Sequence, residues 1–182
     1  MVIYLVFSLL FLLGLVVFIL AIYISMRPED FKVTRSASIA ATPAALFEQV
    51  NDFHKWEAWS PWAKLDPNCK NTYEGPTSGV GAAFAWSGDH KVGEGSMKIT
   101  QSRPHDVILL DLVFTRPFKA KNVTQFTFVP MEGRTVVTWT MSGKNNFVGK
   151  AIGLFMDCDK MVGPSFEKGL ENLRSVVEGS AL

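Results

Sequence analysis

Residues 106–141 read DVILLDLVFTRPFKAKNVTQFTFVPMEGRTVVTWTM. Three alternating runs stand in this stretch, separated by Arg116-Pro117 and by Met131-Glu132-Gly133. Successive side chains of a strand point to opposite faces, so a period of two with short turn-rich links predicts antiparallel hairpins. In the first run Ile108, Leu110, Leu112 and Phe114 make an unbroken apolar face, whereas Val107, Leu109 and Val113 share theirs with Asp111. The former set is the core face and Asp111 points outward. The same parity turns Phe126 and Phe128 inward on the second run, and Val137, Trp139 and Met141 on the third.

Toward the C-terminus the period changes. Ile152, Phe155, Val162, Phe166, Leu170, Leu173 and Val177 recur at threes and fours, which predicts one amphipathic helix of about thirty residues, kinked or restarted at Pro164. Toward the N-terminus, strands are expected near 92–102, 82–87 and 70–75, with Met97, Ile99, Phe84 and Trp86 inward. Gly93 and Gly95 share the face of Met97 and leave space or curvature there. A further strand over 31–39 turns Phe31, Val33, Ala37 and Ile39 inward, with Arg35 at the same parity. Thr42-Pro43 supplies an N-cap and a first-turn proline for a helix of about ten residues carrying Leu46, Phe47 and Val50. Residues 53–62 read as a second short helix ending before Pro61. The sum is an α+β fold, a curved antiparallel sheet of about seven strands wrapped around a long C-terminal helix.

The first 26 residues stand apart. Met1–Met26 has 23 apolar residues and none of the chain's 35 charges, all of which fall in the remaining 156 residues. As a helix the stretch to Ser25 would be roughly 37 Å long, against a hydrocarbon core of ~30 Å. It lacks the basic start, short apolar core and small-residue cleavage site of a signal peptide; a bulky Tyr23 stands where a small residue is needed. Residues 1–26 are therefore expected to be an uncleaved transmembrane anchor, with Tyr4 and Tyr23 at the interfaces, 27–30 a hinge, 31–178 one domain and 179–182 a tail. Arg27, Lys32 and Arg35 just beyond the segment place the domain on the cytoplasmic side of the membrane.

A net charge of +1 lacks the concentrated basic footprint of a nucleic-acid binder. Cys69 and Cys158 lie far apart with no CxxC, neither a zinc pattern nor a disulfide framework. Asp157, Cys158 and Asp159 do not suggest a metal site, because adjacent helical residues diverge by about 100°. No metal and no cofactor is expected.

Trp56-Glu57-Ala58-Trp59-Ser60-Pro61-Trp62 with Asp66-Pro67, Gly93-Glu94-Gly95, Phe114-Thr115-Arg116-Pro117-Phe118, Thr135 to Trp139 and Phe166 to Leu173 occur in the order found in one superfamily. In these blocks the chain resembles the SRPBCC, or START-like helix-grip, proteins, and within them the polyketide cyclase/dehydrase and lipid-transport branch. The resemblance covers about residues 31–178. It implies a sheet that grips the last helix and leaves a hydrophobic cavity between them; the branch includes carriers, cyclases, dehydrases and stress proteins, so the fold alone selects no function.

A cavity placed there would be lined by inward residues, and Trp86, Met97, Leu110, Leu112, Phe126, Trp139, Phe155 and Arg35 are the expected ligand contacts. Trp56, Trp59 and Trp62 are expected to lock the short helices to the sheet. An enzyme needs a proton-transfer group held in the pocket, and none is evident: His54 falls in a short helix, His90 and His105 at turns. No GxSxG elbow and no phosphate-binding glycine loop occurs. The reading favoured on these grounds is a membrane-anchored module that binds a hydrophobic small molecule or lipid. One alternative is a cyclase/dehydrase-type enzyme in which Arg35 or Thr124 orients a carbonyl; the other is a ligand-free membrane-bound interaction or stress-response protein. Lys119, Lys121, Lys144, Lys150 and Arg116 offer a basic rim for an anionic leaflet.

Overall fold

The structure is a computed structural model that describes residues 2–154 and 157–179. It begins with α1 (Val2–Ser25), a helix long and apolar enough to cross a membrane. Its polar side chains turn back on its own backbone: the Ser8 and Ser25 hydroxyls donate to the carbonyls of Tyr4 and Ala21 at 2.9 and 2.8 Å. Such back-bonding satisfies both serine hydroxyls within the helix.

Seven strands follow: β1 (Asp30–Ile39), β2 (Lys70–Glu74), β3 (Ala83–Ser87), β4 (Glu94–Arg103), β5 (Val107–Arg116), β6 (Ala120–Met131) and β7 (Arg134–Lys144). They form one sheet in the order β1-β7-β6-β5-β4-β3-β2, every neighbouring pair antiparallel. Ile108 pairs with Phe126, Phe126 with Trp139 and Trp139 with Arg35, so the inward parity read from the sequence runs in register across four strands. Asp111 stands on the opposite face and pairs with Lys121 at 3.6 Å.

Between β1 and β2 lie α2 (Pro43–Asn51), a 3-10 turn (Phe53–Lys55) and α3 (Trp56–Trp59). Thr42 caps α2 by accepting from the Ala45 N–H at 3.3 Å. The helix expected over 53–62 is shorter than that, because Ser60 is extended ahead of Pro61 and ends α3 at Trp59. The single thirty-residue C-terminal helix is also corrected: it is two helices, α4 (Phe147–Ile152) and α5 (Cys158–Gly179). The apolar period runs on through the break, but the caps do not. Asn146 opens α4 by accepting from the Gly149 N–H at 2.9 Å. Asp157 opens α5, its carboxylate accepting from Asp159 N–H at 2.9 Å and its carbonyl from Met161 N–H at 3.0 Å. Phe155 and Met156 lie outside the described residues. α5 continues through Pro164.

α5 lies along β1 and runs in the same direction, as three contacts show. Arg35 reaches Asp159 and Glu167, Arg174 reaches the Ser38 carbonyl, and Glu178 accepts from the Ala40 N–H. The two ends of the molecule therefore differ. The end where β1 begins, called here the α1 end, also holds Lys144, Ala120, Arg116, Glu94 and Ser87 of the successive strands, together with α4 and the start of α5. The far end is covered by α2 and α3. There Ile39, Leu46, Val50, Trp59, Ile108 and Val137 are fully buried.

Candidate functional site

On the face of the sheet that meets α5, side chains are fully buried toward the α2–α3 end, and several are partly exposed toward the α1 end. Near its middle the space is filled by rings. Trp139 stacks on Phe166 with centroids 4.1 Å apart, and Trp59, Trp62 and Phe126 meet Trp139 at 5.7, 5.8 and 4.8 Å. The indole N–H groups of Trp56 and Trp59 donate to the carbonyls of Val50 and Gln49 and so tie α3 to α2, while their rings meet Phe126 and Trp139 of the sheet. Toward the α1 end the inner face becomes half-exposed: Phe31, Phe84, Trp86, Met97 and Phe114 keep part of their surface in solvent. Register explains their clustering, since Phe84 pairs with Met97, Met97 with Leu112, and Trp86 and Phe114 both flank Gly95. A side chain at Gly95 would meet the Trp86 ring at 2.6 Å, so the glycine lets that indole lie across β4.

Three polar side chains sit on the inner face of β6 and β7 within this apolar surround. Thr124 is 3% exposed and Trp139 2%, and among the described residues neither the Thr124 hydroxyl nor the Trp139 indole N–H has a hydrogen-bond partner. Asn122 is buried beside them on β6, its amide reaching only the Met141 sulfur at 3.9 Å. A buried polar atom left unpaired costs about 1–3 kcal/mol, so two on one face are an uncommon arrangement in a core. They supply one donor, and one group that both donates and accepts, in an otherwise apolar environment.

The expected contacts fall into groups. Trp86 and Met97 line the open part; Leu112 is buried at its floor. Leu110, Phe126 and Trp139 are buried deeper, in the packed middle. Phe155 lies outside the described residues. Arg35 stands on the inner face, but its guanidinium is held within the chain. It makes a two-pronged pair with Asp159 at 2.8 and 2.9 Å, a third bond to Glu167 at 2.6 Å and a fourth to the Thr34 carbonyl at 2.9 Å. The guanidinium is thereby held protonated even more firmly than usual, chiefly by its hydrogen bonds to Asp159 and Glu167. The Asp159 carboxyl is held below the usual carboxylate range by the same bond. Gly163 makes this possible, for a side chain there would collide with the Arg35 guanidinium. Sequence reasoning missed Asp159, Glu167 and Gly163 as its partners, and it missed Asn122, which alternation backward from Phe126 places inward.

Other titratable groups lie at the rim. The Glu94 carboxyl is held below its ordinary value, first by the Thr115 hydroxyl and then by Arg116. Burial, reinforced by Asp157 and Asp159, pushes the Cys158 thiol up, which keeps it protonated and a poor nucleophile. Both cysteines are free thiols. His54 is exposed, bonds Asp52 at 2.9 Å and stacks on Tyr73 beside a cleft of about 210 Å³ at the β2–β3 edge, away from the concave face. Among the described residues no group of three or more His, Cys, Asp or Glu side chains is placed to hold a metal ion. The inner face thus combines partly exposed apolar side chains with a few buried polar ones.

Residues 30–178 match the family model described as polyketide cyclase/dehydrase and lipid transport. No curated protein matches significantly. Solved structures share the fold at low identity. A Staphylococcus aureus protein of unknown function is 11% identical with a TM-score of 0.64, over 85% of this chain and 98% of its own. A Mesorhizobium loti protein is 17% identical with a TM-score of 0.62, over 84% of this chain and 100% of its own. The Aha1 dimer of Colwellia psychrerythraea is 15% identical with a TM-score of 0.58, over 81% of this chain and 96% of its own.

Proposed function

The chain belongs to the polyketide cyclase/dehydrase and lipid-transport family, and from that premise we propose that it is a membrane-anchored module that holds a hydrophobic small molecule or lipid against the concave face of its sheet. The observation that carries this reading is the pairing of a half-exposed apolar opening at Trp86, Met97 and Phe114 with the partnerless Thr124 and Trp139 atoms deeper on the same face. An apolar body with an oxygen function would bury its chain on the rings and methionine and offer a partner to a buried polar atom such as the Thr124 hydroxyl. The anchor half of the proposal rests on α1, 24 residues whose side chains face outward along almost its whole length. The domain sits on the cytoplasmic side.

The test uses the domain freed of α1. Residues 27–182, incubated with a dansylated fatty acid and excited at the tryptophans, should show saturable energy transfer that Thr124→Val weakens. A linear, non-saturating signal, with native mass spectrometry finding nothing bound, overturns the binding reading.

A second reading has one specific observation behind it. The Thr124 hydroxyl, buried and without a partner among the described residues, would serve as a donor to a carbonyl oxygen in a cyclase or dehydrase acting on a hydrophobic carbonyl compound. Turnover of a polyketide-like substrate by the same domain, abolished in Thr124→Val, would favour it.

A further inference from the structure

The two exposed phenylalanines of the domain's described residues, Phe118 and Phe147, both lie at the α1 end. Phe147 and its exposed neighbour Val148 belong to α4, a helix with no fully buried residue. α4 is fixed to the place where α1 stops. Lys150 donates to the carbonyl of Ser25, the last residue of α1, and pairs with Glu29, both at 3.3 Å, while the Asn145 N–H donates to the Glu29 carbonyl at 2.7 Å. Lys150 thereby satisfies a carbonyl at the negative end of α1. With α1 spanning a bilayer, Ser25 lies at the boundary between hydrocarbon and headgroups, and a helix bonded to it lies at the same depth.

Phe118 arrives at this level by another route. It is 64% exposed in the turn that joins β5 to β6, whose first residues pair with the last of β7, the strand that leads into α4. The strand spacing puts that turn within roughly 10 Å of the end of β7. Exposed lysines accompany both sites: Lys119 follows Phe118, and Lys144 ends β7 just before α4. Apolar tips flanked by cations are the composition of a segment that rests in the headgroup region of an anionic leaflet. The same end carries the half-exposed part of the concave face.

We propose that α4 and the Phe118 turn form a second contact with an anionic bilayer, which presses the open end of the sheet onto the membrane so that the bound molecule passes between bilayer and protein without entering water. This rests on the anchored reading of α1.

The experiment is hydrogen exchange on the full chain in nanodiscs of phosphatidylcholine with about a third phosphatidylglycerol, in nanodiscs of phosphatidylcholine alone, and in a neutral detergent micelle. Amides of 118–121 and 146–152 should exchange about tenfold slower in the anionic disc than in the micelle, with a smaller effect in the neutral disc. The pair Phe118→Asp and Phe147→Asp should abolish the protection; the milder Phe118→Ser and Phe147→Ser, checked by thermal unfolding, serves if the first pair does not fold. Equal exchange in disc and micelle while residues 2–25 stay protected overturns the second contact and leaves the anchor standing. Release of the chain by alkaline carbonate overturns both.

Discussion

The Trp139 indole lies flat on the Phe166 ring, centroids 4.1 Å apart and planes 8° from parallel, and this one contact ties the middle of β7 to the middle of α5. Both side chains are 2% exposed. Trp139→Ala and Phe166→Ala should each cost about 3–5 kcal/mol. Because each removes the other's partner, the double variant should cost less than the sum by about 0.5–1.5 kcal/mol. Chemical denaturation of the four proteins measures this coupling; strict additivity would show that the stack contributes nothing beyond burial.

Gly169 faces that same ring. A side chain built at Gly169 would approach Trp139 to 2.7 Å and Pro61 to 3.1 Å. Alanine would gain about 1 kcal/mol of helix propensity, but forcing a rigid buried ring aside costs about 1–3 kcal/mol. Gly169→Ala is expected to lower Tm by a few degrees, and a rise would show that the ring can move.

Thr124→Val separates stability from binding. Removing a buried hydroxyl that has no partner should leave the empty domain as stable or raise its stability by up to about 1 kcal/mol. Affinity for a fatty acid should fall. Thermal unfolding with and without the dansylated probe reads both quantities, and unchanged binding would remove Thr124 from the site.

The Arg35–Asp159 pair sets an acid limit. The folded Asp159 carboxyl is lowered below its unfolded value of about 4. Its contribution is thus present above pH ~4 and is lost as pH falls through the lowered folded value. Arg35 is raised, so its contribution is fully present below its very high unfolded value and does not vary in the accessible range. Melting across pH 2.5–7 (about, by the same linkage) should show a loss of stability below pH ~4 that is smaller in Asp159→Asn. An identical acid limb in the variant would assign the loss elsewhere.

Much of this was legible beforehand, for reasons that differ by residue. On β5 alternation from Ile108 to Phe114 with one charge, Asp111, out of phase fixes which face is buried, and the register follows. The break between α4 and α5 was hidden because Ile152, Phe155 and Val162 follow one another at three and then seven positions, and spacing does not report where caps interrupt a helix. The partners of Arg35 lie 124 and 132 positions away, where only the docking of α5 on β1 brings them close. Parity placed Thr124 on the inner face, yet that its hydroxyl lacks a partner depends on what the surrounding strands and helix do not offer.

Four residues, 26–29, separate the end of α1 from the start of β1. Even fully stretched, such a link spans about 14 Å. With α1 in the bilayer, the protein cannot ferry cargo from one organelle or envelope layer to another across an aqueous gap. On the anchored reading proposed above, the domain would stay beside one face of a single membrane, and its occupancy would follow the mole fraction of its ligand among the neighbouring lipids instead of the concentration in solution.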